Sequence, residues 1–182
     1  MKSGCYVAVL VLMLLGSIFP QLCVASPITV QYQALDLGNG RWQYVYDVQN
    51  DSWVQSIKEF TVWFDRAKYR NLQVATPNPP AANWNEMVAQ PDPVLHDDGF
   101  YDALAVGSGI SLGSHVAGFT IAFDWLGSGK PGPQSFDIVD PITFQTKYSG
   151  VTLPEPSAFI LLAGAIAASR RRRARPFCDN KM

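Results

Sequence analysis

Between residues 26 and 153 the chain has no cysteine; its three, Cys5, Cys23 and Cys178, all lie near the ends. No disulfide can staple that span, so its hydrophobic core must hold it alone. Histidine is almost as scarce. His96 and His115 are too few for a histidine-rich transition-metal site, and both read as ordinary solvent-facing polar residues. Positive charge is also thin: the span carries seven Lys/Arg against 13 Asp/Glu, a net of −6 that the whole-chain value of −1 hides. Nucleic acid is excluded as a partner, because that affinity comes from cations neutralising phosphates. Polysaccharide and cations remain open. The sequence has no internal repeat and no low-complexity tract.

What the middle does have is period-two alternation. Around Gly38-Asn39-Gly40 two segments read as a hairpin, the second placing Trp42, Tyr44, Tyr46 and Val48 on one face. Residues 57–64 put Phe60, Val62 and Phe64 inward, and residues 116–124 do the same with Phe119, Ile121 and Phe123. Residues 72–75, 101–106, 136–139 and 142–148 are weaker strands, while residues 83–89 could form a helical turn or two. Gly and Pro clusters separate these pieces, with residues 76–93 and 126–133 as the longest loops. About 128 residues suffice for one core. The reading is all-β: a small antiparallel β-sandwich, Ig-like or jelly-roll-like, of eight or so short strands.

Several fragments imitate active sites. Gly109-Ile110-Ser111-Leu112-Gly113 fits G-x-S-x-G, but no helical pattern follows and His115 is too close to serve as the late triad base. A small secreted hydrolase on Ser111 is thus the least favoured function. Gly127-Ser128-Gly129-Lys130 lacks the first glycine and the Ser/Thr of a phosphate loop, with Asp124 and Pro131 in those places. Glu59, Asp65 and Asp124 offer the carboxylates of a glycosidase, yet each sits on a strand or strand end where an outward charge is expected. Asp92, Asp97, Asp98 and Asp102 are a Ca²⁺ candidate whose spacing does not match an EF-hand, and a solvated loop is the plainer reading. No catalytic residue, resident metal or cofactor is assigned.

Eighteen aromatic residues lie within residues 26–153, including all five tryptophans. Most belong in the core or on a sheet face. Trp53, Trp84 and Trp125 fall in or beside expected loops, and Trp84 and Trp125 are the candidate carbohydrate contacts of a surface-matrix binding module.

The ends carry a different kind of information. Lys2, the apolar run of residues 6–19 and the small-x-small triplet Cys23-Val24-Ala25 make a signal peptide, cut between Ala25 and Ser26 by ordinary signal peptidase. At the other end Pro154-Glu155-Pro156 and Ser157 precede an apolar run, residues 158–168, followed by Arg170, Arg171, Arg172 and Arg173. The prolines favour an extended peptide. The arginines hold the tail on the cytoplasmic side of a membrane. Residues 157–169 number 13, fewer than the roughly 20 of an ordinary spanning helix, and nine residues follow the basic run.

This tripartite tail resembles the PEP-CTERM sorting signal of exported bacterial proteins, recognised by the membrane protease/transpeptidase exosortase. It covers about the last fifth of the chain. The stretch from Gly118 to Pro141 is also similar to the C-terminal half of many small ectodomains of that group. The resemblance implies export, an inner-membrane intermediate held by the C-terminal apolar helix, processing near the tripeptide, and delivery to the cell surface or exopolysaccharide matrix of a Gram-negative bacterium. The organisation expected is therefore a signal peptide at 1–25, a β-sandwich ectodomain at 26–152 and a sorting segment at 153–182. The function expected is non-enzymatic, with signal peptidase, exosortase and exopolysaccharide as partners.

Overall fold

The computed structural model describes residues 26–77 and 80–156. Ten strands form two sheets: β1 (Ile28–Gly38), β2 (Arg41–Asn50), β3 (Glu59–Phe64), β4 (Tyr69–Val74), β5 (Trp84–Ala89), β6 (Gly99–Ala105), β7 (His115–Trp125), β8 (Ser135–Val139), β9 (Thr146–Val151) and β10 (Leu153–Pro154). One sheet runs β10-β1-β2-β7-β4, the other β5-β6-β3-β8-β9. Every pairing is antiparallel except that of β1 with β10. The chain is the antiparallel sandwich its alternation predicts.

The first hairpin turns through Gly38, Asn39 and Gly40, all at positive φ, which explains a Gly-Asn-Gly sequence there. The residues expected inward are inward. Tyr44, Tyr46, Val48, Phe60, Val62, Phe64, Phe119, Ile121 and Phe123 are completely buried. Aromatic rings bridge the two sheets: Phe60 of β3 meets Phe119 of β7 edge-on at 4.9 Å, and Phe64 meets Phe123 at 6.1 Å. Such contacts add about 0.5–1.5 kcal/mol each beyond the area they bury.

Three expectations need correction. Residues 83–89 are not helical: a single 3-10 turn, Ala81–Asn83, leads into β5, which pairs with β6 and breaks up the long loop expected over 76–93. The strand expected over 142–148 begins only at Thr146. The Asp140 carboxylate accepts the amides of Ile142 (2.9 Å) and Thr143 (3.2 Å), and its carbonyl accepts that of Phe144 (2.8 Å), so these residues close a turn. The third is a strand that sequence reading missed. At Thr152, fully buried, the chain leaves one sheet for the other and becomes β10. Gln134 fixes this corner, its amide donating to Thr152 Oγ1 (2.9 Å) while the Thr152 amide donates to its carbonyl (2.8 Å).

Candidate functional site: an aromatic cleft between the sheets

At one end of the sandwich, the loops following β3 and β7 meet around a cleft of about 410 Å³. Trp63 enters it from β3 and Trp125 from β7. Trp63 faces away from the core because it alternates with Val62 and Phe64, and it is 37% exposed. Its Nε1–H donates to Asp137 Oδ2 (2.9 Å), and Phe100 meets it edge-on at 5.7 Å. Trp125 closes β7, with its Nε1–H donating to the Gly129 carbonyl (3.0 Å) and its ring 5.0 Å from that of Tyr69. Gly127 lies against the same ring so closely that a Cβ would stand 2.3 Å from it, so only glycine fits.

The polar rim is tightly tied. Asp65 Oδ1 accepts the Ala67 amide (2.8 Å) and its Oδ2 pairs with Lys68 Nζ (3.1 Å). Asp98 Oδ1 accepts both the amide (3.0 Å) and the guanidinium (3.1 Å) of Arg66. The Ala67 amide first, and then Lys68, hold the Asp65 carboxyl below its usual range against the opposing effect of burial. The rim's two carboxylates are thus each matched by a cation. Tyr69 and Gln134, both buried, form the floor.

Trp125 therefore lines a cleft, as its place beside a loop suggested, and Trp84 lines another, of about 480 Å³, though little of its ring is exposed. It is 6% exposed, on β5, packed against Phe60 and Phe119 at 6.0 and 5.1 Å. Trp63 was not singled out, although its outward position was legible in the alternation. Trp53 lies apart, in a separate cleft of about 360 Å³ with Lys58 and Lys147.

The remaining candidates scatter. Ser111 sits in a turn closed by the Ser114 amide on its carbonyl (3.0 Å), and strand β7 follows, not a helix. The 127–130 segment is an exposed loop whose Gly129 carbonyl serves Trp125. Asp92 caps the amides of Val94 and Leu95, Asp98 holds Arg66, and Asp102 accepts Thr61 Oγ1. Among the described residues no three His, Cys, Asp or Glu groups gather as metal ligands. Glu59 and Asp65 flank the two ends of β3, about 20 Å apart at the usual rise per residue. Asp124 is in the other sheet, bound by Arg41 (2.8 Å) and Asn71 (2.5 Å), which hold its carboxyl low. Glu59 and Asp65 are thus too far apart for a glycosidase pair, and Asp124 is engaged by its two partners.

Glu59 shows the opposite shift. Burial first, then the charges of Asp102 and Asp140, push its carboxyl above the ordinary value, and Oε2 is buried with no partner among the described residues. The folded state binds that proton more tightly than the unfolded chain, so this contribution falls as pH rises from the ordinary carboxylate value through the raised one. Glu59→Gln is expected to raise Tm by about 2 °C at pH 7 and to change nothing near pH 3, where both states are protonated. An equal gain at both pH values would assign the effect to packing.

Of the sorting residues, Pro154 pairs with Tyr32 in the β10–β1 ladder, and the Glu155 amide donates to the Tyr32 carbonyl (2.9 Å). Pro156 follows, exposed. Ser26 Oγ donates to the Ile28 carbonyl (2.5 Å). Ala25, Ser157, the expected C-terminal helix and Arg170, Arg171, Arg172 and Arg173 lie outside the described residues.

No protein-family model matches the chain, and no curated protein does. Solved structures do. The GH20 exo-β-N-acetylglucosaminidase of Vibrio harveyi aligns over 72% of this chain and 18% of its own, at 14% identity and a TM-score of 0.38. A family 3b carbohydrate-binding module of Clostridium clariflavum aligns over 71% of this chain and 87% of its own, at 11% identity and 0.37. A chain of a type I cohesin–dockerin complex from Clostridium thermocellum aligns over 71% and 99%, at 13% and 0.34. This chain thus spans less than a fifth of the Vibrio enzyme's length.

Proposed function

We propose that the protein is a non-enzymatic, exported β-sandwich that exosortase sorts to the cell surface or the exopolysaccharide matrix. The observation that carries this reading is the tail itself: Pro154-Glu155-Pro156, Ser157, a short apolar run and Arg170, Arg171, Arg172 and Arg173 in that order. Each part has one physical task. The arginines resist transfer across the membrane, the apolar run holds the intermediate in it, and the prolines keep the tripeptide extended outside. The ectodomain supports the arrangement by ending in a buried corner at Thr152, which delivers the tripeptide to the sheet edge beside β1.

The test is the intact mass of the protein recovered from surface and culture fractions of its host, with and without exosortase. The expected species starts at Ser26, ends within residues 154–157 and disappears without exosortase. Glu155→Ala, or reversal of the four arginine charges, is expected to abolish most of that species while the thermal melt of the domain stays unchanged. Unaltered release in those variants, or a species that keeps Arg170 in both hosts, would make the tail a plain membrane anchor.

A further inference from the structure

We infer that the cleft between Trp63 and Trp125 binds a neutral saccharide chain. Both indole N–H groups are already spent on Asp137 and on the Gly129 carbonyl. What each tryptophan has left to offer is therefore ring surface, not a hydrogen bond. The π face is the negative part of an aromatic ring, and the C–H face of a pyranose, weakly positive and apolar, is the complementary surface. Fixed indoles also lose little freedom when a ligand arrives, which lowers the cost of binding.

Charge selects the ligand further. The domain as a whole is acidic, yet at this rim Asp65 is matched by Lys68 and Asp98 by Arg66. An anionic polymer would meet no surplus cation on this rim, and the one nearby carboxylate without a cation among the described residues, Asp137, already accepts from Trp63 and Ser149. Each ion pair still leaves capacity unused, because Lys68 Nζ has three protons and a carboxylate accepts at about four positions. A sugar hydroxyl both donates and accepts, so it can serve either half of a pair without breaking it. An apolar peptide laid on the same rings would dehydrate these charges and return nothing. The cleft's volume falls in the roughly 300–1,000 Å³ range of small-ligand sites, and tryptophans from two sheets give a chain two stacking points.

The cleft beside Trp53 is only partly matched: Lys147 pairs with Asp140 (3.5 Å), which leaves Lys58 as a surplus cation among the described residues. This cleft has one ring and serves as the internal control.

The experiment uses the full chain in detergent micelles, run by affinity electrophoresis through gels containing hydroxyethylcellulose, galactomannan, dextran or alginate. At least one neutral polymer is expected to retard it, and anionic alginate is not. Trp63→Ala and Trp125→Ala should each weaken that retardation by about tenfold or more in apparent Kd, Lys68→Ala by less, and Trp53→Ala not measurably. Trp63 and Lys68 are surface residues, so their variants keep the core, and an unchanged urea midpoint verifies it. Retardation by alginate alone, by none of the four polymers, or equally in the Trp63→Ala protein would overturn the assignment. So would binding to a proline-rich peptide in place of every neutral glycan. The readout is independent of sorting and would stand if the tail proved a simple anchor.

Discussion

Gln134→Ala is expected to remove about 3 kcal/mol of stability, read as the shift in urea midpoint at constant m. Gln134 is 4% exposed and serves three buried phenols at once. Its Oε1 accepts the Tyr46 hydroxyl (3.1 Å), and its Nε2 donates to the hydroxyls of Tyr44 (2.6 Å) and Tyr69 (3.0 Å). Burial raises the pKa of all three phenols above the ordinary tyrosine value, so they stay neutral donors and acceptors at any ordinary pH. Alanine would leave the Tyr46 hydroxyl with no acceptor among the described residues, whereas Tyr44 would keep the Gly132 carbonyl (2.7 Å). One orphaned buried hydroxyl costs about 1–3 kcal/mol, and the emptied volume adds to it. Adding Tyr46→Phe to Gln134→Ala should recover part of the loss, because it deletes the orphan. A loss below about 1 kcal/mol, with no recovery in the double variant, would mean that the network relaxes onto water.

The same residue shows where sequence reading stops. Gln134 follows Pro131-Gly132-Pro133, and nothing in that loop composition signals a buried hub. Strands whose inward residues are all apolar were plain: Phe60, Val62 and Phe64 on β3, and Phe119, Ile121 and Phe123 on β7, alternate without interruption. Strand β5 was hidden by its inward carboxylate. It turns Trp84, Glu86 and Val88 toward the core, and Glu86 is usable there because Oε2 accepts the hydroxyls of Thr76 and Tyr101, both at 2.5 Å. A charged residue in the middle of the inward set erases the pattern that would have exposed the strand. β10 was hidden for another reason: two residues are too short for any periodicity, and Pro154 argues against a strand unless it lies at an edge. The cleft was half legible. Trp125 stood out beside a loop, whereas Trp63 was legible only as the residue between the inward Val62 and Phe64, and only the packing of one sheet on the other places them together.

Gly109→Ala should cost about 4 kcal/mol, while Gly113→Ala, four residues on, should cost only about 1 kcal/mol. The two glycines have the same backbone strain to answer, with φ of +73° and +74°. Their surroundings differ. A Cβ on Gly109 would stand 2.2 Å from the Ile57 carbonyl oxygen, whereas one on Gly113 would meet nothing within 4 Å. The obstructed carbonyl is engaged: Ile57 and Ile110, both buried, exchange two backbone hydrogen bonds of 2.9 Å. The Asn50 amide binds the Ile110 carbonyl (3.1 Å) and that of Gln55 (2.9 Å), tying the same segment to β2. An added methyl at residue 109 must therefore push apart the bridge joining the β2–β3 and β6–β7 connections. Subtracting the Gly113 cost from the Gly109 cost removes the φ strain common to both and leaves the clash, about 3 kcal/mol. Equal costs at the two positions would place the whole effect in φ and deny the close approach. These are also the two glycines that make residues 109–113 look like a nucleophile elbow. Their spacing has a structural reason at one end, the approach to Ile57, and a turn at the other, so Ser111→Ala should leave stability within about 0.5 kcal/mol of the parent.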